Sequence, residues 1–508
     1  MRPDRPDTED AHRGARLAIV LVVTVAACVR LLVNFSTPLM PKVNGAYYLV
    51  QVRALLTTGH LAYRDFPLLF WIEAVVARGL QLVGGLDLSP SIIVAAKLTD
   101  GILPAFAGVP IFLLGLGWTR SDLRVPSATA AALFSVLCAP ALVMTSDFQK
   151  NALGMLWLAG TIWALHRSLE RRTRGWLLAA GGFFLLSGMT HVGAFGVTLA
   201  YVLLFGAAVL LVDPGARRRF GPALLGGVVL LLAILAGLSL VDASGKAMNL
   251  VSVIRSPLKL FHPSLATSLV TGAPVRLSPP AIVQMILITG AALAGGVVIL
   301  RRGAREGAAA RATVLAAVLS CLLLGSPLTN LEIGAGRLLM MAYLPAAVVL
   351  AFLLGRIRSA SLMWAAHAVV MIVTAGSALG VIRPITTPCI PAESYAELQD
   401  LRSFVDRPPE SLIITRHGLE WWAAWALEAN VTQEFDIEPE IWDRYERVFF
   451  LQQLAEYAPF GPQGFGGPPF MEVWLPDEAE VLFEGRYFRL ACSEYPPLFY
   501  PLARPDMP

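Results

Sequence analysis

Apolar runs long enough to cross a bilayer recur along most of the chain. A helix needs roughly 20 residues to span ~30 Å of hydrocarbon. Such runs lie at 17–35, 91–118, 126–144, 151–165, 176–189, 192–212, 221–241, 281–300, 308–324, 338–354 and 362–382. The runs at 176–189 and 192–212 are nearly contiguous and form the tightest pair of crossings. The pattern predicts an α-helical polytopic membrane protein of about eleven transmembrane helices.

The polar residues between the runs test that pattern, because cytoplasmic loops are rich in Lys and Arg. Placing the tail 1–16 inside puts Arg13 and Arg16 there, and alternate turns then carry Arg120 and Arg124; Arg167, Arg171, Arg172 and Arg174; Arg217, Arg218 and Arg219; Arg301, Arg302 and Arg305; and Arg356 and Arg358. The opposite turns are poorer in cations. This predicts a cytoplasmic N-terminus, a transmembrane region at 17–382, and a C-terminal segment outside the cytosol. Residue 16 leads straight into an apolar run with no small-residue cleavage site after it, so that run reads as the first span and not as a signal peptide.

Two outer loops are long, 36–90 and 242–280. Within the first, 47–56 and 67–83 read as amphipathic helices lying in the membrane interface. From residue 383 the texture changes. Pro384, Pro388 and Pro391 mark a linker, and 383–508 then reads as a small α/β domain. Helices are predicted at 395–405 and 418–428, and strands at 411–415, 447–452, 479–483 and 487–492. The last two strands join at Glu484 and Gly485, a hairpin turn by composition. Residues 461–469 form a Gly/Pro-rich loop.

Composition agrees with this picture: 56% of residues are apolar and 15% charged, with a mean hydropathy of +0.64. The net charge of +4 is small and gives no sign of a nucleic-acid partner. Of five cysteines, Cys28, Cys138 and Cys321 fall in apolar runs, while Cys389 and Cys492 bracket the C-terminal domain. An extracytoplasmic compartment permits a disulfide between the latter two; the sequence leaves open whether the sulfurs meet.

Ionisable groups at membrane depth are costly and therefore candidates for function. Asp147 and Lys150 lie in TSDFQKN, between two spans on the outer side. The carboxylate could act as general base or metal ligand and the ammonium could hold an anion; equally, Ser146 or Asp147 could cap the following helix. Lys97 and Asp100, three apart on one helix, read first as a mutual ion pair and second as part of the site. Arg30 either snorkels to the outer interface or points inward to an anionic group. Arg337, beside a Gly-rich turn, suits phosphate or anchors at the interface. His191, in a tight turn, reads first as a hydrogen-bonded turn residue. Asp65, ahead of Phe66 and Pro67, is either a turn residue or an acid held near the membrane surface. No P-loop, dinucleotide-binding glycine fingerprint, zinc spacing or G-x-S-x-G elbow falls on a suitable element, which argues against ATP-driven transport.

The first outer loop reads NGAYYLVQVRALL from Asn44 and AYRDFPLLF from Ala62. These residues resemble the first loop of the GT-C superfamily of membrane glycosyltransferases. The layout is similar too: a first span, a long outer loop with interfacial helices, an acidic short loop after the third span, and an outer C-terminal domain. The resemblance implies a sugar donor carried on polyprenyl phosphate, an acceptor in the cell envelope, a carboxylate that takes the acceptor proton, and cations that stabilise the leaving phosphate. By that likeness Asp147 and Asp65 are the expected catalytic acids, with Asn44, Tyr47, Lys150, Arg337 and His191 around the donor. A divalent metal, if used, falls to Asp147. The chain departs from the pattern at Asn44, where the family has an acid. An amide cannot be a general base, so either Asp65 or Asp147 takes that role or the chain is a catalytically silent relative.

The expected function is therefore a multi-pass plasma-membrane glycosyltransferase working on a lipid-linked sugar. The rivals are a silent membrane scaffold acting through its C-terminal domain, and a lipid or solute transporter. A transporter would show inverted repeats, and the sequence has none.

Overall fold

In a computed structural model of the chain, the described residues are 8–119, 123–213, 215, 279–302, 306–325, 335–386, 390–416, 418–433, 444–454, 473, 475–476 and 479–493. In chain order the helices are α1 Thr8–Asn34, α2 Gly45–Thr58, α3 Leu68–Gly84, α4 Leu88–Ile102, α5 Gly108–Trp118, α6 Arg124–Leu137, α7 Ala139–Val143, α8 Gln149–Arg171, α9 Arg174–Thr190, α10 Val192–Val212, α11 Pro279–Arg302, α12 Ala308–Leu324, α13 Ala335–Met341, α14 Tyr343–Leu354, α15 Ala360–Thr386, α16 Ala392–Asp400 and α17 Glu420–Leu427. The strands are β1 Ser411–Thr415, β2 Asn430–Thr432, β3 Arg447–Gln453, β4 Glu480–Glu484 and β5 Phe488–Ser493. Every predicted apolar run except 221–241, which lies outside the described residues, falls on helix.

Among the described residues five helical stretches are long and apolar enough to cross a membrane: His12–Asn34, Leu88–Trp118, Arg124–Val143, Val192–Val212 and Ala360–Arg383. Three shorter apolar helices join them, Ile286–Arg301, Ala308–Leu324 and Leu338–Leu354. The chain is a helical, multi-pass membrane protein. The tight pair at 176–212 forms two helices, α9 and α10, with only the extended residue His191 between them.

The chain forms two compact units. The first gathers Met1–Val33, Tyr63–Ile72 and Lys97–Ile385. Its core is built largely from small residues. Gly154 of α8 approaches α10 so closely that a Cβ there would lie 2.2 Å from the Cβ of Ala194. The run 91–118 is one predicted span but is broken into α4, a 3₁₀ turn Leu103–Ala107 and α5. Pro104 causes the break: it has no N–H to give the carbonyl of Asp100.

The second unit gathers Asn34–Ala62, Glu73–Ala96 and Thr386–Pro508. Its mixed sheet has the order β2-β1-β3-β5-β4, with β1 parallel to β2 and β3, and β5 antiparallel to β3 and β4. Helix α2 packs against α17, so 45–52 is buried and does not simply lie in an interface plane. Tyr47 meets Trp421 edge-on at 4.8 Å, and Arg53 donates to the carbonyls of Ala424 (2.7 Å) and Trp425 (2.8 Å). Those carbonyls belong to the last turn of α17, where helical partners run out and a cation is favoured.

The β4–β5 turn is tied down by α16. The Glu397 carboxylate accepts from the backbone N–H groups of Arg486 (3.0 Å), Tyr487 (2.8 Å) and Phe488 (2.9 Å). The Tyr487 hydroxyl donates to Glu393 at 2.7 Å, which raises the phenol pKa above its ordinary value. Hydrogen bonds to a charged group contribute roughly 1.5–3 kcal/mol. Glu397→Ala is expected to cost about 2 kcal/mol, read as a lower melting temperature with faster amide exchange confined to 486–488. Cys492 is buried on β5, and Cys389 lies outside the described residues.

Candidate functional site

Five ionisable residues of the first unit, Arg30, Asp65, Asp100, Asp147 and Lys150, lie in or contact the segment where α7 ends and α8 begins. Helix α7 closes early: Thr145 N–H turns back to the Leu142 carbonyl at 2.9 Å instead of reaching Ala141. The next three residues form a tight turn, with Asp147 N–H on the Thr145 carbonyl at 2.8 Å and Ser146 at its centre with φ +69°. A non-glycine residue in that region costs on the order of 1–3 kcal/mol and persists only where its surroundings hold it. Asp147 is therefore presented by a strained turn, half-buried, immediately before α8.

Lys150 sits in the first turn of α8, and its ammonium forms an ion pair with the Asp65 carboxylate. Both side chains are almost wholly enclosed, 7% exposed for Lys150 and 0% for Asp65. The Phe70 ring lies 5.5 Å from the ammonium. Asp65 Oδ1 also accepts from Phe66 N–H at 2.8 Å, and Pro67 then opens α3 with its carbonyl taking Trp71 N–H. The loop residue and the helix residue are 85 positions apart in sequence.

His191 caps α10. Its Nδ1 accepts from Gly193 N–H (3.1 Å) and Ala194 N–H (3.4 Å), which assigns the ring proton of the neutral form to Nε2. Arg337 lies on α13, and its side chain is outside the described residues. Helix α13 packs on α7, which leads to Asp147, and on α10, which starts beyond His191. Asn44 and Tyr47 belong to the second unit, at the start of α2. Asn44 offers its carbonyl to Tyr47 N–H at 3.1 Å, and Gln51 Nε2 donates to the Tyr47 hydroxyl at 2.9 Å.

The turn is supported by two residues that the sequence singles out separately, Arg30 and Asp100, without pairing them. Arg30 is buried at 2% exposure and points inward. Its Nη2 donates to Asp100 Oδ1, its Nε to the Asp100 carbonyl and its Nη1 to the Ala141 carbonyl, each at 2.9 Å. Asp100 Oδ2 in turn accepts from Ser146 N–H at 2.9 Å. Asp100 thus meets Arg30, a partner the local spacing to Lys97 did not suggest. Sequence reasoning also passed over Thr145 and Gln149. Thr145 Oγ1 and both polar atoms of the Gln149 side chain are buried and find no hydrogen-bond partner among the described residues. Such groups are rare in native interiors and call for an explanation.

Asp65 and Asp147 are the carboxylates a divalent cation would use, but among the described residues no three His, Cys, Asp or Glu side chains converge as a ligand set.

No family model matches the sequence, and no curated protein matches it. Among solved structures, the chain is similar to ArnT from Cupriavidus metallidurans in the apo state, with 14% identity, a TM-score of 0.40, and coverage of 93% of this chain and 97% of that one. It is likewise similar to ArnT from Cupriavidus metallidurans bound to undecaprenyl phosphate, with 15% identity, a TM-score of 0.39 and the same coverage, 93% and 97%.

Proposed function

We propose that the protein is a plasma-membrane glycosyltransferase, with about eleven spans, that moves a sugar from a polyprenyl-phosphate donor to a cell-envelope acceptor. The basic turns between spans support a cytoplasmic N-terminus and a C-terminal domain outside. The observation that carries the reading is the enclosed Asp65–Lys150 pair beside Asp147. An ammonium at the first turn of a helix adds to the positive end of the helix dipole and suits an anionic head group. The sequence TSDFQKN then sets acid and cation three residues apart.

In this reaction the acceptor hydroxyl attacks the sugar's anomeric carbon, its oxygen bonds to that carbon, and the carbon–phosphate-oxygen bond breaks. Asp147, or Asp65 once Lys150 has turned to the donor, receives the hydroxyl proton. Lys150, with Arg337 on α13, takes up the charge that develops on the leaving phosphate. The buried polar atoms of Thr145 and Gln149 supply hydrogen bonds to the sugar. A placed base contributes roughly 10²–10⁴-fold.

The test is transfer from radiolabelled polyprenyl-phosphate sugars to envelope acceptors by purified protein in lipid. Asp147→Asn is expected to lower transfer about 10²-fold. Asn44 favours the second reading, a silent scaffold. Folded wild-type protein that turns over none of the donors would establish that reading and end this one.

A further inference from the structure

We infer that Arg30 and Asp100 are positioning residues: a buried brace that holds the strained turn at Ser146 and so sets Asp147 and Lys150 for the donor phosphate. Two independent features of the chain meet in the brace.

The first is a pair of carbonyls that lack their i+4 backbone donors. Pro104 cannot donate to the Asp100 carbonyl, and Thr145 N–H has gone to Leu142 and so does not serve Ala141. Both carbonyls accept from Arg30, at 2.9 Å each. A guanidinium has a planar array of donors that can serve two such groups and a carboxylate together. Arg30 thereby joins the C-terminal ends of α4 and α7, the ends where a cation is favoured.

The second feature is the turn. Ser146 holds φ +69°, and its N–H is fixed by Asp100 Oδ2 at 2.9 Å. The carboxylate that Arg30 orients through Oδ1 therefore clamps the central residue of the turn through Oδ2. Asp147 follows directly, and α8 with Lys150 begins three residues after the clamp. A buried ion pair is weak evidence for stability, since apolar residues of similar volume often serve as well. Placement of the adjoining segment explains why charge stands here.

The brace's consequence for the donor rests on the glycosyltransferase reading above; its hold on the turn does not. Two readouts on the whole protein in lipid nanodiscs separate these points: amide exchange over 144–150, and binding of undecaprenyl phosphate. Arg30→Met/Asp100→Leu is expected to stay folded, to speed exchange over 144–150 at least about tenfold, and to weaken binding by about the same factor. Adding Ser146→Gly is expected to recover part of both losses, because glycine adopts positive φ without steric strain. A change that only loosened the helix bundle would not respond to that glycine. Should the double variant fail to fold, Asp100→Asn, which keeps the volume and removes the charge, is expected to speed the same exchange. Unchanged exchange over 144–150 in a folded variant overturns the brace. Faster exchange with undiminished binding overturns its role for the donor. Faster exchange in a protein whose wild type binds no undecaprenyl phosphate leaves the brace standing and removes the glycosyltransferase reading instead.

Discussion

Lys150→Met is expected to lower sugar transfer about 10³-fold, the upper end of what one charge-stabilising group contributes. Methionine preserves most of the length and packing of lysine, so the loss reports the ammonium. The same substitution leaves the enclosed Asp65 carboxylate without the cation it meets in the native protein. Breaking a buried pair from one side costs about 3–5 kcal/mol, so Lys150→Met should also melt early. Adding Asp65→Asn removes the stranded charge. The double variant should regain most of the lost stability and none of the lost transfer. Initial rates and melting curves on the four proteins of this cycle separate the two effects. A double variant that transfers sugar at the wild-type rate would show that Lys150 takes no part in holding the leaving phosphate.

Local pattern made much of the fold legible, and distance along the chain set the limit. The strands at 411–415, 447–452, 479–483 and 487–492 match β1, β3, β4 and β5 to within a residue, because each is an apolar β-rich stretch between polar turns. β2 was missed because Asn430–Thr432 is too short to show alternation. The break between α4 and α5 was hidden by the continuous apolar run, although Pro104 was its visible signal.

The candidate site shows the same division. Asp147 and Lys150 stood out because they share one short polar segment. The pairing of Lys150 with Asp65 joins residues 85 positions apart, and no periodicity encodes it. For Asp100 the neighbour at helical spacing, Lys97, drew attention away from Arg30, 70 positions back. The left-handed backbone at Ser146 had no signal, since serine gives none of the notice that glycine would.

The single substitution Arg30→Met is expected to cost about 3–5 kcal/mol, the usual effect of stranding one buried charge. Here the stranded group is the Asp100 carboxylate, and the carbonyls of Asp100 and Ala141 lose donors at the same time. Leaving a buried polar group unsatisfied costs roughly 1–3 kcal/mol. Arg30→Met/Asp100→Leu removes the charge and keeps smaller penalties, among them the two carbonyls and Ser146 N–H. It should therefore melt closer to the wild type than Arg30→Met does, although it carries one more change. That reversal of order is the measurement to make by thermal melting in nanodiscs. A double variant less stable than Arg30→Met would mean that the Asp100 carboxylate is held well enough by Ser146 N–H and its other neighbours to stand without the guanidinium. Arg30 would then act chiefly on the ends of α4 and α7, and the hold of Asp100 on the turn at Ser146 would not depend on it.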